Sequence, residues 1–214
     1  MTTLSKLTIA GICFSAVFLS SQAQAQETNF SYTQLSIAAT ATDFDNDIYL
    51  PSGPGSYEVY SDIGGVALSG SYQFSNNVII GALGSYQENS GSRTELSLRQ
   101  SLLSVGYAFP AAQSVDIVIS GGLAYAEVEA CEYWYGCNSV DDNGIHLSGG
   151  VRAWASSWLE LNAAVSHVNF DDFESETALQ LGAAAWFDNS SSLFVDLGFG
   201  DDANSASLGY RYSF

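Results

Sequence analysis

Basic residues are almost absent from this chain. Lysine and arginine together number 5 against 23 acidic residues, and the formal net charge is −18 at pH 7. A protein that binds nucleic acid needs a cluster of lysine and arginine side chains to neutralise phosphates. The composition therefore excludes nucleic acid as a partner.

Long apolar runs and the usual share of charge are missing too. Beyond residue 25 the sequence has no apolar stretch of about 18 residues, so we expect no membrane-spanning helix. Charged residues make up only 13% of the chain, while hydrophobic residues make up 47%. A soluble domain needs more charge than this on its surface. A β-barrel in lipid does not, because its outer surface faces hydrocarbon.

The N-terminus has the pattern of a secretory signal. Lys6 supplies the positive charge, residues 7–19 are apolar, and Ala23-Gln24-Ala25 matches a small-residue cleavage site. We predict a signal peptide over 1–25, cut after Ala25, and a single domain over 26–214. Cys13 follows Ile12 inside the apolar stretch, which argues against a lipoprotein.

The rest of the chain divides into short segments in which apolar and polar residues alternate. This period of two predicts β-strands, and each segment has the roughly 9–11 residues that cross a bilayer. An all-β, antiparallel, up-and-down transmembrane barrel of ten strands follows, with eight strands as the alternative. A soluble sandwich shares the period but explains neither the signal nor the aromatic C-terminus. The predicted strands are 30–42, 58–74, 78–88, 93–109, 114–129, 144–155, 158–170, 176–187, 191–200 and 204–214.

The connections between these strands differ in charge. Those after even-numbered strands are short and nearly uncharged, whereas those after odd-numbered strands carry most acids, including Asp43, Asp45 and Asp47. Outer-membrane barrels have short periplasmic turns and longer outer loops. We therefore expect both termini in the periplasm and the acidic connections outside the cell.

The alternation also predicts which side chains line the lumen. Small and polar residues fall on one face, among them Gln34, Ser36, Ser120 and Ser213, and large apolar residues fall on the other. Aromatic residues cluster at the predicted periplasmic strand ends: Tyr72, Phe74, Tyr107, Phe109, Phe187, Tyr212 and Phe214.

The last residues, Leu208-Gly209-Tyr210-Arg211-Tyr212-Ser213-Phe214, alternate strictly and end on an aromatic side chain. With the Phe199-Gly200-Asp201-Asp202 hairpin tip and a Phe30-Ser31-Tyr32 opening strand, they resemble the small outer-membrane β-barrel proteins of Gram-negative bacteria, of the OmpA-like and porin-like families. The resemblance implies the outer membrane, contact with its lipids and lipopolysaccharide, and recognition of Tyr210, Tyr212 and Phe214 by the barrel-assembly machinery.

Charged side chains at inward positions are candidates for ion selectivity or for structural pairing. Arg211 and Asp196 lie on neighbouring predicted strands, so we expect them to be able to pair. The inward charged or titratable residues are His146, Arg152, Glu160, Asp196 and Arg211.

Cys131 and Cys137 bracket an aromatic segment of the third acidic connection. In an oxidising compartment such a pair predicts a disulfide that stiffens the connection or presents Tyr133, Trp134 and Tyr135 to a partner. Two cysteines are too few for a zinc site, so no metal site is expected.

Asp43-Phe44-Asp45-Asn46-Asp47 begins like a calcium-binding loop, but Ile48 stands where such a loop needs glycine and Pro54 where it needs glutamate. We expect a solvated acidic segment, with weak association of divalent cations as the alternative.

Catalysis and cofactors are not expected. His167 with Asp171 and Asp172, or His146 with Asp141 and Asp142, imitates the Asp–His pairs of barrel proteases, yet His167 falls at a lipid-facing position. Two functions remain open. The first is a small porin-like channel for ions or solutes, and the second is a non-conducting surface protein acting in adhesion, lipopolysaccharide interaction or envelope integrity. The surface partner is unknown.

Overall fold

The computed structural model describes residues 29–133 and 136–214, and the predicted signal peptide with its Ala25 cleavage site lies outside them. Each strand pairs antiparallel with its chain neighbours, and β1 pairs with β10 to close a barrel. The ten-stranded prediction is confirmed, and the eight-stranded alternative is wrong. The strands are β1 Gln34–Gly53, β2 Ser56–Gln73, β3 Val78–Ser90, β4 Thr94–Ala112, β5 Val115–Glu132, β6 Gly136–Trp154, β7 Leu159–Phe170, β8 Glu176–Trp186, β9 Ser191–Gly200 and β10 Ala203–Ser213.

The two ends of the barrel differ in shape. We call the end that carries residue 33 and Phe214 the terminal end, and the opposite end the distal end. Phe214 is held there by its backbone N–H, which donates to the carbonyl of Thr33 at 3.0 Å. The four connections at the terminal end are short turns, whereas at the distal end several strands continue well beyond their neighbours.

Side chains alternate between lumen and exterior along each strand. In β10, Ser207 and Arg211 are buried, whereas Leu208 is 63% exposed and Tyr210 40% exposed. This alternation follows from the pleat of a strand, which turns successive side chains to opposite faces. The barrel thus has a largely buried inner surface and a largely apolar outer surface.

The exposed apolar side chains form a belt around the barrel. At the terminal end the belt is edged by aromatic pairs, with ring centroids 5.1 Å apart for Tyr72 and Phe74 and 4.9 Å apart for Tyr212 and Phe214. Toward the distal end exposed polar groups such as Asp62 replace the apolar ones. An apolar belt with an aromatic rim suits a lipid bilayer.

Among the described residues, no helix is long and apolar enough to cross a membrane.

The distal ends of β1 and β2 correct the predicted strand limits. Residues 43–47, predicted as an acidic loop, lie within β1, which continues to Gly53. The pairing with β2 shifts between Asp43 and Ile48, so a bulge bends the two strands and lets them continue as a ribbon. The ribbon ends in a tight turn at Gly55, whose φ of 72° favours glycine.

The hairpin of β5 and β6 also extends further than predicted. Its strands pair up to Glu132 and Gly136, so most of the predicted third loop is a β-ribbon. Backbone pairing between these two strands continues beyond the apolar belt. A pattern of hydrophobicity alone does not reveal this, because the residues there no longer alternate between lipid and lumen. By contrast, β7 to β10 end near the belt.

Candidate functional site

The terminal half of the lumen contains the start of the described chain. Phe30 and Tyr32, predicted as an opening strand, precede β1 and turn into the lumen, where they are 2% and 0% exposed. The Phe30 ring stacks on Trp154 with centroids 5.1 Å apart and an interplanar angle of 10°. We call residues 29–33 the plug segment, because they occupy this end of the lumen.

Hydrogen bonds hold the plug segment in place. The Tyr32 hydroxyl donates to Asp116 Oδ2 at 2.8 Å, and Asn29 Nδ2 donates to Asp116 Oδ1 at 3.0 Å. Trp154 Nε1 donates to the Asn29 carbonyl at 3.0 Å. A buried carboxylate is stable only when its oxygens are hydrogen-bonded, so Asp116 and the plug segment depend on each other.

Next to the plug segment, one carboxylate joins two arginines. Glu160 Oε1 accepts from Arg152 Nε at 2.6 Å and from Arg211 Nη1 at 3.0 Å. Its other oxygen accepts from Arg152 Nη2 at 2.8 Å and from Trp186 Nε1 at 2.9 Å. All four hydrogen bonds lie within the barrel, so Glu160 is fully buried yet fully paired.

The same arginines also contact aromatic rings. The Arg152 Cζ atom lies 4.7 Å from the Phe30 centroid and 4.6 Å from the Tyr32 centroid. Arg211 Cζ lies 5.2 Å from the ring of Phe194. These distances are in the range of cation–π contacts, which strengthen when water is excluded.

The sequence allows Arg211 to pair with Asp196 on the neighbouring strand, but in the structure Arg211 pairs with another carboxylate. Arg211 forms its ion pair with Glu160, which lies three strands away around the barrel, and Asp196 accepts from Asn162 Nδ2 at 3.4 Å. Neighbouring positions in a sheet bring backbones together, but a long arginine side chain crosses the lumen to a better-placed carboxylate. Gly182 leaves the space that Asp196 and Asn162 occupy, because a Cβ there would meet both side chains.

His146 is the remaining candidate among the inward groups. Its ring is 1% exposed, and neither ring nitrogen has a hydrogen-bond partner among the described residues. It lies opposite Gly122 of β5 and Val168 of β7. His146 therefore lies outside the group formed by Arg152, Glu160 and Arg211, which we call the Glu160 cluster.

An apolar cluster occupies much of the distal half of the lumen, beside buried polar groups such as Gln87 and Gln100. The sequence predicts a lumen lined mainly by small and polar residues, and for the distal half this prediction is wrong. Large residues reach inward from several strands and pack into one cluster, of which each member is at most 8% exposed. The cluster comprises Phe44, Leu50, Tyr60, Ile63, Leu83, Leu96, Leu98, Leu102, Ala124, Ala126, Val128, Val168, Phe170 and Ala203.

Between the two halves lies a small cavity. Its lining includes Arg152, Glu160, Asn162, Gln180 and Asp196, and its volume is about 30 Å³. A space of this size holds about two water molecules. It is too small for a solute and does not amount to a passage.

At the distal end a carboxylate joins two connections. Glu58 on the β1–β2 ribbon accepts hydrogen bonds from the backbone N–H and hydroxyl of Ser92, from the N–H of Arg93, and from the N–H and hydroxyl of Thr94. Gly91 allows this approach, since a Cβ there would meet Glu58 and the Tyr60 hydroxyl. The Ser92 and Thr94 hydroxyls lower the pKa of Glu58 to about 2. We call this arrangement the Glu58 clamp.

The clamp extends to the third hairpin. The Tyr60 hydroxyl donates to the Thr94 carbonyl at 2.6 Å, and Tyr133 N–H donates to the Arg93 carbonyl at 2.9 Å. The β1–β2 ribbon, the β3–β4 turn and the β5–β6 hairpin therefore form one connected wall.

Cys131 and Cys137 lie directly opposite each other on β5 and β6 and form a disulfide in the structure. Glu129 lies close enough for its carboxylate to join the two sulfur atoms around one metal ion. The sulfur atoms are bonded to each other, however, and a metal prefers thiolates. Tyr133, next to the disulfide, is 76% exposed.

Other predicted residues lie on the exterior. His167 is exposed on β7, with Nδ1 3.0 Å from the Thr177 hydroxyl. Tyr210 donates its hydroxyl to Ser191 Oγ at 3.1 Å, and Tyr212 and Phe214 are exposed at the terminal end. Recognition of these three aromatic residues by the assembly machinery stays a prediction, as does cation association at Asp43, Asp45 and Asp47.

Comparison with known proteins agrees with this architecture. A family model described as "Outer membrane protein beta-barrel domain" matches residues 11–214. No curated protein matches the chain significantly.

Solved structures share the fold at low sequence identity. The NanC porin has a TM-score of 0.52 at 8% identity, with 84% of this chain and 100% of that chain covered. The translocator domain of autotransporter NalP from Neisseria meningitidis has a TM-score of 0.52 at 14% identity, covering 85% and 88%. Ail, the attachment invasion locus protein of Yersinia pestis, in complex with the heparin analogue sucrose octasulfate, gives 0.45 at 11%, covering 85% and 98%.

Proposed function

The chain belongs to the outer membrane protein β-barrel domain family, and on this premise we propose that it is a closed, non-conducting outer-membrane barrel that presents its distal wall outside the cell. Its place in the outer membrane follows from the family. The closed lumen and the orientation are our proposals.

Lumen filling is the observation that carries the proposal. The plug segment and the Glu160 cluster occupy the terminal half, and the apolar cluster occupies the distal half. Lumen-facing side chains in both halves, such as Tyr32 and Leu98, are nearly inaccessible to water. A conducting pore needs a continuous aqueous path lined by accessible groups. This geometry favours a surface or envelope role over the porin-like channel.

The shape of the two ends supports the orientation. Barrels of this class have short periplasmic turns and longer outer segments, and an interfacial aromatic girdle. The terminal end has the short turns, and the extended acidic hairpins lie at the distal end. We infer that the termini are periplasmic. A membrane-impermeant maleimide should label Ser56→Cys on intact cells and Ser75→Cys only after lysis, and the reverse result would overturn this orientation.

Conductance in a planar bilayer tests the closed lumen. We expect refolded protein to give no discrete current steps, because neither half of the lumen holds a water-filled path. The matched variant lacks the plug segment and carries Leu83→Ser, Leu98→Ser and Phe170→Ser, which together reduce the obstruction in both halves of the lumen. Steps in this variant but not in the unaltered protein support the proposal. Regular steps from the unaltered protein would refute it.

A further inference from the structure

The outward face of the β1–β2 ribbon carries an apolar patch that the rest of the structure does not cover. Tyr49, Tyr57 and Val59 are 58%, 64% and 52% exposed, and Pro51 is exposed beside them. Tyr49 lies opposite Val59, and Pro51 lies opposite Tyr57, so the four residues form one block on one face. We call this block the aromatic patch.

The aromatic patch lies beyond the apolar belt that faces lipid. Exposed Asp43, Asp45 and Asp62 separate it from the belt residues of β1 and β2, such as Ile37 and Leu68. Lipid therefore explains the exposure of the belt but not that of the patch. A compact exposed apolar surface rimmed by polar groups marks an interaction site.

The ribbon is held rigidly from its other face. Glu58 and Tyr60 point inward and bind the β3–β4 turn, and Leu50 packs into the apolar cluster. Rigid presentation lowers the conformational entropy lost on binding. Because its pKa is about 2, Glu58 stays ionised across ordinary pH. The stabilisation from the clamp is then present above the unfolded pKa of about 4.3 and is lost only as pH falls toward 2.

The charge around the aromatic patch indicates what kind of partner fits. Asp45, Asp47 and Asp62 flank it on the ribbon itself. The two arginines of the distal hairpins are already engaged: Arg93 with the Ser52 carbonyl at 3.4 Å, and Arg99 with Glu127 at 3.3 Å. Polyanions, anionic lipid surfaces and a second copy of this chain at net charge −18 are repelled by such a surface.

We propose that the aromatic patch and its flanking aspartates form a docking site for a cationic amphipathic polypeptide, whose apolar side chains cover Tyr49 and Tyr57 while its lysine or arginine side chains meet the acids. This inference rests on the proposed display of the distal wall outside the cell. Aromatic anchors supply the affinity, and the acids steer the approach and select the sign of charge.

A binding assay with defined probes tests the proposal. Mature protein in phosphatidylcholine nanodiscs is titrated into a labelled peptide of alternating lysine and leucine, with empty nanodiscs as the blank and fluorescence anisotropy as the measurement. We expect binding that weakens about tenfold or more as salt rises from about 0.05 to 0.5 M. Peptides with glutamate in place of lysine, or serine in place of leucine, should bind at least about tenfold more weakly. Equal binding of all three peptides, or no binding, would overturn the proposal.

Matched variants locate the site. Tyr49→Ser, Tyr57→Ser and Val59→Ser together should weaken binding at least about tenfold, whereas Tyr133→Ser with Val140→Ser, which removes exposed apolar groups from the β5–β6 hairpin, should not. Replacing Asp45, Asp47 and Asp62 by asparagine should weaken binding clearly. The control variant Asp171→Asn, Asp172→Asn and Glu174→Gln, on the β7–β8 connection across the distal end, should weaken it less. If the two apolar variants weaken binding equally, or the two charge variants do, binding depends on overall apolar surface or overall charge and not on the aromatic patch. Either result would overturn the proposed site.

Hydrogen exchange on the unaltered protein covers the case in which a variant does not fold. Bound peptide should protect the backbone amides of residues 45–62 from exchange. Protection confined to other residues, including protection caused by self-association of the protein, contradicts the proposal.

Failure of the closed-barrel proposal gives a different result. Current steps with intact peptide binding would overturn only the closed lumen, and a silent barrel without peptide binding would overturn only the docking site.

Discussion

The two halves of the lumen are closed by different balances of charged and apolar groups. Around Glu160 the closure includes two arginines, one carboxylate and the rings of Phe30 and Tyr32, whereas beyond Leu83 an apolar cluster dominates, with the amides of Gln87 and Gln100 buried beside it. A buried charge is costly unless every partner is present, while an apolar cluster loses only the contacts of the residue removed. The terminal half should therefore be more sensitive to the loss of one group than the distal half.

Glu160→Gln should give the largest effect. The substitution keeps the shape of the side chain but leaves Arg152 and Arg211 buried without their carboxylate, so we expect the free energy of unfolding to fall by about 3 to 5 kcal/mol. Urea unfolding in lipid vesicles measures it. Glu174→Gln makes the same chemical change on an exposed distal connection and should cost less than about 0.5 kcal/mol. A similar small loss at both positions would remove the distinction between the two halves.

Leu98→Ala should cost less, about 3 kcal/mol, because it removes buried contacts and leaves a cavity but no unpaired charge. Leu103→Ala is its control on the same strand, since Leu103 points outward and is 63% exposed. That variant should lose clearly less in the same urea titration, as lipid replaces the missing contacts. Equal losses would indicate that the distal lumen is less tightly filled than the burial of Leu98 implies.

The strand framework was predictable because its signal is local. Alternation in β9 and β10 predicted both limits within about one residue, and the inward position of Arg211 followed from the same period. Prediction was poorer where a strand left the apolar belt, because its outward residues are then polar and no longer apolar. After the bulge beyond Asp43 the strand continues outside the apolar belt, so its exposed polar residues read as a loop.

The contacts within the lumen were not predictable in the same way. Phe30 and Tyr32 alternate with polar neighbours like strand residues, and nothing local distinguishes a strand from a plug segment. Leu96, Leu98 and Leu102 could have warned of an apolar distal half, because their even positions share the inward face of β4 with Gln100. The aromatic patch was missed because Tyr49, Pro51 and Tyr57 lay in a predicted loop and only Val59 lay in a predicted strand.

The sequence by itself determined the class, the number of strands and the face on which residues of the predicted strands lie, since these depend on a period of two and on the balance of apolar and polar groups. Tertiary structure alone decided that Glu160 pairs with Arg211, that Asp116 holds Tyr32, and that the lumen is filled. Such contacts depend on barrel diameter, strand stagger and side-chain reach across the lumen. These quantities arise only when all ten strands have closed on one another.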